Sequence, residues 1–342
     1  MTAKSNRVFL LGYLLFLVLV GSLLDTHEVQ VTTHPADQTQ PAVCGDLVVW
    51  TDERNGNEDI YGYNLSTKEE FQITSSSFPE FSPDIYGDIV VWVEAEAPDS
   101  WHIVSHNLST GETTCLTAAG TLCENPALCG TVVVWEEAQQ KGRNIRGYDF
   151  STGRYIQITD SEDYEINPAI GEGIVVWEAH GKSNGDIQGM NLETHHQFRI
   201  ADEGLSNATL SAWNTIVVWE NLGRVYWIDL KTGRKTRIES LSVKHCPTLY
   251  GSTIVWEDYR NKNADIYGYD LGELEEFPIS VNALSQKHPD VFGNIVVWED
   301  ERNENLDIYC CSLPIQIIST TYVLLMGGLM VLLVIVLIRK EE

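Results

Sequence analysis

Basic residues are scarce in this 342-residue chain. It has 22 lysines and arginines against 49 aspartates and glutamates, which gives a formal net charge of -27. Nucleic-acid binders need a basic surface, so we expect no nucleic-acid partner. The acidic surplus also disfavours docking on anionic lipid and is typical of a soluble surface.

The sequence also lacks the short motifs of common active sites. It has no Gly-x-Ser-x-Gly, no His-Glu-x-x-His and no glycine loop that would cradle a phosphate. No Cys-x-x-Cys pair occurs, which removes the usual zinc and thioredoxin-like interpretations. We therefore predict no enzyme active site, no cofactor and no metal. His245 and His288 precede expected inner strands and are interpreted as solvated loop histidines.

The chain has few cysteines, and their number, seven, is odd. In an exported protein at least one thiol would then stay unpaired. Cys115 and Cys123 are close enough in sequence to bridge, whereas the neighbours Cys310 and Cys311 cannot easily close on themselves. Most of the seven are expected to be small buried apolar residues.

The first apolar run long enough to enter a membrane covers residues 8–24 and follows Lys4 and Arg7. Basic residues followed by an apolar run predict a secretory signal peptide. The run nearly reaches the length that spans a bilayer, so an uncleaved signal anchor over residues 1–27 is the alternative.

The second apolar run covers residues 317–338, which are 22 residues without a charge. This length predicts one transmembrane helix. Arg339 and Lys340 follow it and indicate a short cytoplasmic tail over residues 339–342. Residues 28–313 are then expected on the extracytoplasmic side of the cell membrane, anchored there by the C-terminal helix.

Between these ends, tryptophan repeats at a nearly fixed interval. Successive members lie 42 or 43 residues apart, except for one interval of 37, at Trp50, Trp92, Trp135, Trp177, Trp219, Trp256 and Trp298. Such a period indicates a propeller or a solenoid. We predict an all-β fold, a seven-bladed β-propeller of four-stranded repeats over residues 28–313. An N-terminal signal or anchor helix and a C-terminal transmembrane helix would flank it.

The first repeat shows the four strands of each unit. A short strand follows a proline at 41–43, and a continuous apolar strand over 47–50 ends in tryptophan. The third and fourth strands cover 59–65 and 70–74. β-Branched and aromatic residues dominate all four, and a continuous apolar run suits a strand covered on both faces, as in a propeller.

Two features of the third strand and its hairpin vary between units. Four units carry a glycine that we expect to make room for a neighbouring ring, at Gly62, Gly147, Gly189 and Gly268. Unit five has Trp227 there instead, together with a shorter hairpin at 221–223 and an additional Trp213. We predict that blade five is the irregular one.

The last unit ends its third strand near residue 313 and leaves little room for a fourth before the membrane helix. Residues 28–33 resemble residues 69–74 of the first unit. Thr33, the last of these residues, lies 8 residues before Pro41, and Thr74 lies 9 residues before Pro83. We predict that residues 28–33 form the outer strand of blade seven, with residues 314–319 as the rival strand.

The repeat resembles TolB-type propellers and the propeller repeats of archaeal cell-surface proteins. The resemblance covers residues 28–313 and rests on Pro-x-x-x-Gly, the apolar strand with tryptophan, Asp-x-Arg-Asn-x-Asn-x-Asp-Ile-Tyr, and the Ser-Thr-Gly turns at 109–111 and 151–153. It implies a scaffold that binds other macromolecules. TolB itself is soluble and carries an additional helical domain. Because we expect a membrane anchor and no such domain in this sequence, we do not expect a Tol-type role.

The Asp-x-Arg-Asn-x-Asn-x-Asp motif occurs three times, beginning at Asp52, Asp258 and Asp300. Its carboxylates and amides suggest a calcium loop. An arginine, however, stands where such a loop needs an oxygen, and arginine can pair with an aspartate across the hairpin. Because Asn and Asp also favour turn geometry, we prefer a structural hairpin to a calcium site.

These hairpins belong to the consecutive blades six, seven and one. Successive strands of a blade run in opposite directions, so the hairpins between strands two and three lie on the same face as the loops between blades. If residues 28–33 close the ring, both membrane segments are expected to leave from the opposite face. A partner is expected on the hairpin face. The candidate residues are Gln40, Arg54, Asn55, Asn57, His245, Arg260, Asn261, Asn263, His288, Arg302, Asn303 and Asn305.

The sequence thus favours a membrane-anchored, extracytoplasmic binding or scaffold module for an unknown protein or cell-envelope polymer, and not an enzyme. One alternative is a glycan lyase or hydrolase with a site at the channel mouth, and another is a structural envelope component. An enzyme needs acid and base groups that converge at the mouth. A clean channel would favour the binding or structural roles.

Overall fold

The computed structural model describes residues 27–181, 185–205 and 208–314. Over these ranges the chain forms 28 β-strands and no helix, so the predicted all-β class is confirmed for the propeller. The described part contains no helix long and apolar enough to cross a membrane. The expected signal or anchor segment at 8–24 and the transmembrane segment at 317–338 lie outside the described residues.

The strands follow one another along the whole described chain. They are β1 (Val29–Gln30), β2 (Gln38–Cys44), β3 (Leu47–Asp52), β4 (Asp59–Asn64), β5 (Glu69–Gln72), β6 (Glu80–Tyr86), β7 (Ile89–Ala97), β8 (Ser100–Asn107), β9 (Glu112–Cys115), β10 (Cys123–Cys129), β11 (Val132–Ala138), β12 (Arg143–Asp149), β13 (Arg154–Gln157), β14 (Tyr164–Gly171), β15 (Ile174–His180), β16 (Gly185–Asn191), β17 (Gln197–Leu205), β18 (Leu210–Trp213), β19 (Ile216–Asn221), β20 (Arg224–Asp229), β21 (Arg234–Arg237), β22 (Lys244–Tyr250), β23 (Thr253–Asp258), β24 (Asp265–Asp270), β25 (Glu275–Ser280), β26 (Gln286–Phe292), β27 (Ile295–Asp300) and β28 (Asp307–Ser312).

Consecutive antiparallel strands form seven blades. Blade one is β2–β5, blade two β6–β9, blade three β10–β13, blade four β14–β17, blade five β18–β21, blade six β22–β25, and blade seven β26–β28 with β1. One parallel bridge, between Arg143 and Tyr164, joins blades three and four. The innermost strand of each blade packs against that of the next, and β26 packs against β2. The blades therefore close into a ring around a central channel.

The N-terminal strand completes the last blade. β1 pairs antiparallel with β28, which places Val29 opposite Cys310 and Gln30 opposite Tyr309. The predicted closure of the ring by residues 28–33 is confirmed. The first and last parts of the propeller are thereby held in one sheet.

The register of this closing strand differs by one residue from the predicted alignment. Ile308 donates its backbone N–H to the hydroxyl of Thr32 at 2.9 Å, just as Ile60 donates to Thr74 at 2.8 Å. Thr32, and not Thr33, is therefore the counterpart of Thr74. The sequence agrees with this alignment, since Thr32 lies 9 residues before Pro41, just as Thr74 lies 9 residues before Pro83.

The repeat tryptophans form the core between blades, and all seven are at most 2% exposed. Trp50, for example, packs with Val297 and Ile308 of the preceding blade. Each ring removes on the order of 200 Å² from water. The apolar second strands are consequently covered on both faces, as predicted.

The third-strand glycines admit a neighbouring ring at three of the four positions. A β-carbon on Gly62 would lie 2.6 Å from the ring of Phe71 in the next strand. The same contact recurs at Gly189 with Phe198 and at Gly268 with Phe277. The prediction is wrong at Gly147, where the nearest atom is the carbonyl oxygen of Val133.

Blade five is the irregular blade, as predicted. Its hairpin between β19 and β20 contains only Leu222 and Gly223. Trp227 is buried at the position that glycine takes in other blades.

All seven cysteines are free thiols. Cys115 is exposed and Cys123 is buried, so the bridge considered between them is not formed. The expected burial of most cysteines is confirmed at Cys44, Cys123, Cys129, Cys310 and Cys311.

Candidate functional site

The innermost strands reach the channel mouth through a bulge at a proline. In blade seven, β26 pairs with β27 on both sides of Pro289, and the register shifts between Lys287 and Asp290. Proline removes one ladder hydrogen bond, which a bulge on an edge strand tolerates. These strands therefore begin before the proline, not after it as predicted. The loop interpretation of His245 and His288 is wrong for this reason, since both lie on strands.

The residue before the proline has the same unusual backbone in six blades. Its φ lies between 46° and 54° at Gln40, Ser82, Asn125, Asn167, Cys246 and His288. Residues other than glycine seldom adopt this left-handed conformation. The repeated bulge places these six residues at one level of the ring. Cys246, and not the predicted His245, is thus the blade-six counterpart of Gln40 and His288.

A second ring of polar groups consists of carboxylates. In five blades a glutamate directly follows the repeat tryptophan, at Glu136, Glu178, Glu220, Glu257 and Glu299. Glu299 accepts the backbone N–H of Gln40 at 2.7 Å, and Glu257 accepts that of His288 at 2.9 Å. Glu136 and Glu178 likewise accept from Asn167 and Ala208. These four bonds tie blades three, four, six and seven each to the blade that follows.

Blades six and seven bring three side chains of metal-ligand type together at this level. The ligand atoms of Cys246, Glu257 and His288 all lie within 4.8 Å of one another. The other carboxylate oxygen of Glu257 accepts a hydrogen bond from the hydroxyl of Tyr259 at 3.0 Å. Nδ1 of His288 lies 2.9 Å from Glu299. We call Cys246, Glu257 and His288 the mouth cluster.

The surroundings of the mouth cluster are acidic. Burial and then the Glu257 carboxylate raise the pKa of the Cys246 thiol well above its usual range. The hydrogen bond to Glu299 raises the pKa of His288. His245 adds a further pair, with Nδ1 3.7 Å from a carboxylate oxygen of Glu220. A bound cation would be stabilised here, because several carboxylates converge in one partly enclosed place.

Two more carboxylates line the inner strands on the far side of the bulge. Asp84 accepts the N–H of Leu128 at 2.6 Å, and Asp290 accepts that of Val43 at 2.9 Å. Both residues are half-buried. Burial raises the pKa of Asp84 to about 7, with a further contribution from Asp290, and burial raises that of Asp290 to about 6.

These shifts predict a pH-dependent stability. A carboxyl group whose pKa is raised by folding binds its proton more tightly in the folded chain, so stability falls as pH rises from the unfolded pKa to the raised value. His288 acts in the same direction, because its ion pair is lost as pH rises through its raised pKa. The two aspartates should make the free energy of unfolding fall between about pH 4 and about pH 7, by at most ~1.4 kcal/mol per pH unit for each linked proton.

Asp84→Asn removes one of these linked protons. Denaturant unfolding across the pH series should show a flatter profile and higher stability at the alkaline end. Asp88→Asn alters an exposed aspartate near the same strand and should leave the slope unchanged. An equal slope in all three proteins would contradict the assignment.

Aromatic side chains end four of the innermost strands, on the side of the propeller opposite the mouth cluster. Trp213 of blade five lies 4.1 Å from Tyr250 of blade six, and Tyr250 lies 4.3 Å from Phe292 of blade seven, between ring centroids. Tyr86 of blade two reaches Phe292 from the other side, at 6.1 Å. These four rings form one aromatic cluster at the ends of the inner strands.

The predicted arginines and asparagines are engaged within their own hairpins. In blade one, Arg54 binds both oxygens of Asp52 and also Glu70. Asn55 donates to Asp59 at 2.6 Å. Equivalent bonds hold Arg260, Asn261, Arg302 and Asn303. The motif aspartates are thus paired with arginine or asparagine, which supports a structural hairpin over a calcium loop.

The remaining predicted asparagines fix the loops between blades. Asn263 donates to the carbonyl oxygens of Asn282 and Leu284, both at 2.9 Å. Asn57 and Asn305 hold the corresponding loops through Ser76, Phe78, His34 and Ala36. These candidates lie on the predicted face, and what they contact directly is the loop next to them.

Comparison with known proteins identifies the fold. No family model matches the chain, and no curated protein matches its sequence. An oligogalacturonate lyase in complex with manganese superposes with a TM-score of 0.64 at 14% identity, covering 86% of this chain and 94% of the lyase. The propeller domain of the trilobed protease from Pyrococcus furiosus gives 0.65 at 13% identity, covering 82% and 94%.

A puromycin hydrolase is also similar, with a TM-score of 0.59 at 12% identity over 79% of this chain and 51% of the hydrolase. TolB from Acinetobacter baumannii is among the neighbours at 0.49 and 13% identity, over 80% and 78%, too slight a match to argue from. At these identities the similarity shows a β-propeller fold alone. The expected likeness to archaeal cell-surface proteins stays a prediction.

Proposed function

We propose that the chain is a membrane-anchored, extracytoplasmic binding module whose macromolecular or cell-envelope partner docks on the hairpin face. The observation that carries this proposal is a set of exposed apolar side chains on the loops of that face. They belong to blades five and six or to the loop into blade seven, and they are Leu222, Leu241, Val243, Val281 and Leu284. Exposed apolar groups rimmed by polar ones are typical of interaction surfaces.

The motif asparagines support this surface indirectly. Asn263 holds the loop that presents Val281 and Leu284 through its two bonds to that loop. A rigid scaffold that positions exposed loops is a common design for binding proteins. In this proposal the hairpin residues position the docking loops, and the apolar side chains make the contact.

The test is affinity capture by the full-length chain, solubilised from membranes, on cell-envelope extract. Leu241→Asp combined with Leu284→Asp should lower capture of the partner at least about tenfold, since two exposed apolar anchors become charged. Leu274→Asp changes an exposed leucine in the turn between β24 and β25, on the opposite face, and should have no effect. Loss of capture in Leu274→Asp alone would place the partner on the wrong face for this proposal.

The membrane placement has a separate test. External protease applied to intact cells or spheroplasts should digest the propeller. Complete protection in spheroplasts, with digestion only after lysis, would contradict the extracytoplasmic placement.

A propeller hydrolase is the second candidate function. The observation that favours it is the pair of His288 and Glu299 beside Glu257, since acid and base groups converge there. The acidic mouth would repel a polyanionic substrate such as an oligogalacturonate, so a neutral or cationic polymer fits better. Release of new chain ends from such a polymer by the wild type and not by His288→Gln would favour this candidate.

A further inference from the structure

The mouth cluster has the composition of a transition-metal site. Its three residues offer one sulfur, one imidazole nitrogen and one carboxylate oxygen, all within 4.8 Å of one another. Tetrahedral Zn²⁺ with bonds of about 2.0 to 2.3 Å needs ligands roughly 3.3 to 3.8 Å apart. Small side-chain rotations therefore suffice to close the cluster around an ion.

The backbone holds two of the ligands in place before any ion binds. Cys246 and His288 occupy the left-handed bulge positions of neighbouring blades, with φ of 48° and 46°. The N–H of His288 is bound to Glu257, so the third ligand is tied to the second. Three ligands from two blades are thus fixed by the fold and not by one flexible loop.

The groups around the cluster match those that surround bound metals. Glu299 lies 2.9 Å from Nδ1 of His288, which leaves Nε2 as the nitrogen that can bind an ion. A carboxylate on the second nitrogen of a metal-bound histidine fixes its tautomer and orientation. The hydroxyl of Tyr259 orients the Glu257 carboxylate in the same way.

We propose that Cys246, Glu257 and His288 bind one Zn²⁺ ion at the channel mouth, with the fourth position open toward the hairpin face. Zn²⁺ is chosen because the site contains a thiolate ligand together with nitrogen and oxygen, whereas Mn²⁺ prefers oxygen ligands. The nearby carboxylates offset the charge of the ion. Three protein ligands and one open position are the arrangement of zinc sites that bind an external group. The proposal does not depend on the partner described above.

Cobalt provides the readout, because Co²⁺ bound to a thiolate shows a near-ultraviolet charge-transfer band. The full-length chain, purified in non-ionic detergent and stripped with EDTA, should bind one Co²⁺ with this band and release it to Zn²⁺. Cys246→Ser should abolish the band, while Cys115→Ser, which alters an exposed thiol elsewhere, should keep it. An unchanged spectrum in Cys246→Ser, or a preference for Mn²⁺ over Zn²⁺, would overturn the proposal.

Two further measurements guard against a variant that simply misfolds. Glu299→Gln should keep the band and weaken Co²⁺ binding by about 10- to 100-fold, as expected of a residue that positions a ligand. In the wild-type protein, Zn²⁺ should protect Cys246 but not Cys115 from maleimide labelling. Equal labelling of Cys246 with and without Zn²⁺ would contradict the site without any substitution.

Discussion

Replacing Asp258 by asparagine should destabilise the propeller by about 3 to 5 kcal/mol, the usual cost of removing one partner from a buried ion pair. The side chains of Asp258 and Lys244 are 0% and 1% exposed, and the ammonium lies 2.5 Å from the carboxylate. Trp256 and Arg260 also donate to Asp258. Without the negative charge, Lys244 would retain Ser242 and a more distant Glu276. Urea unfolding of the whole chain measures the loss.

The other motif blades supply the matched control. Gln38 lies opposite Asp52, and Gln286 lies opposite Asp300, where blade six has Lys244 opposite Asp258. Lys244→Gln should therefore be tolerated within about 1 kcal/mol, because it recreates the arrangement of blades one and seven. The double variant with Asp258→Asn should recover most of the loss. A double variant as unstable as Asp258→Asn alone would show that the buried lysine is not the cause.

The motif that drew attention in the sequence is explained by this pairing. Trp50, Trp256 and Trp298 each donate their indole N–H to the motif aspartate two residues later. Blades without that aspartate leave the indole nitrogen without a partner at Trp92, Trp135, Trp177 and Trp219. The motif thus satisfies a buried donor and anchors the arginine, which is a structural task repeated three times.

The repeat could be predicted from the sequence because one large apolar residue marks every blade. The tryptophan period and the apolar runs sufficed to place the second and third strands almost to the residue. The first strand of each blade was predicted too short, because Pro41 and its counterparts were taken as the first residues of these strands. A bulge before the proline absorbs the missing hydrogen bond, and no pattern rule for straight strands anticipates that geometry.

The mouth cluster was missed for a different reason. Cys246, Glu257 and His288 are distant in sequence, and each has an unremarkable local context. Their proximity can be seen only when the seven repeats are aligned with one another. In that alignment Cys246 and His288 share the position before the inner-strand proline, and Glu257 directly follows a repeat tryptophan. The ring then brings these positions of neighbouring blades close together, so an alignment of the repeats could have indicated the cluster.

Deleting residues 28–33 should lower the stability of the entire propeller by at least about 3 kcal/mol. Val31 and Thr32 are buried, at 6% and 1% exposure. Burial of a valine contributes about 1.5 to 3 kcal/mol, and each buried polar group left unpaired costs about 1 to 3 kcal/mol. The backbone N–H of Ile308 would lose the hydroxyl of Thr32, and Arg302 would lose Glu28. Thermal unfolding followed by circular dichroism measures the change.

Two point variants separate ring closure from a general effect of shortening the chain. Thr32→Ala should cost about 1 to 3 kcal/mol, because it leaves the buried N–H of Ile308 unpaired. Val29→Ala alters a side chain that is 45% exposed and should stay within about 0.5 kcal/mol. If residues 314–319 closed the ring instead, the chain would unfold at the same temperature with or without residues 28–33. An unchanged melting temperature in the deletion would therefore favour the rival strand.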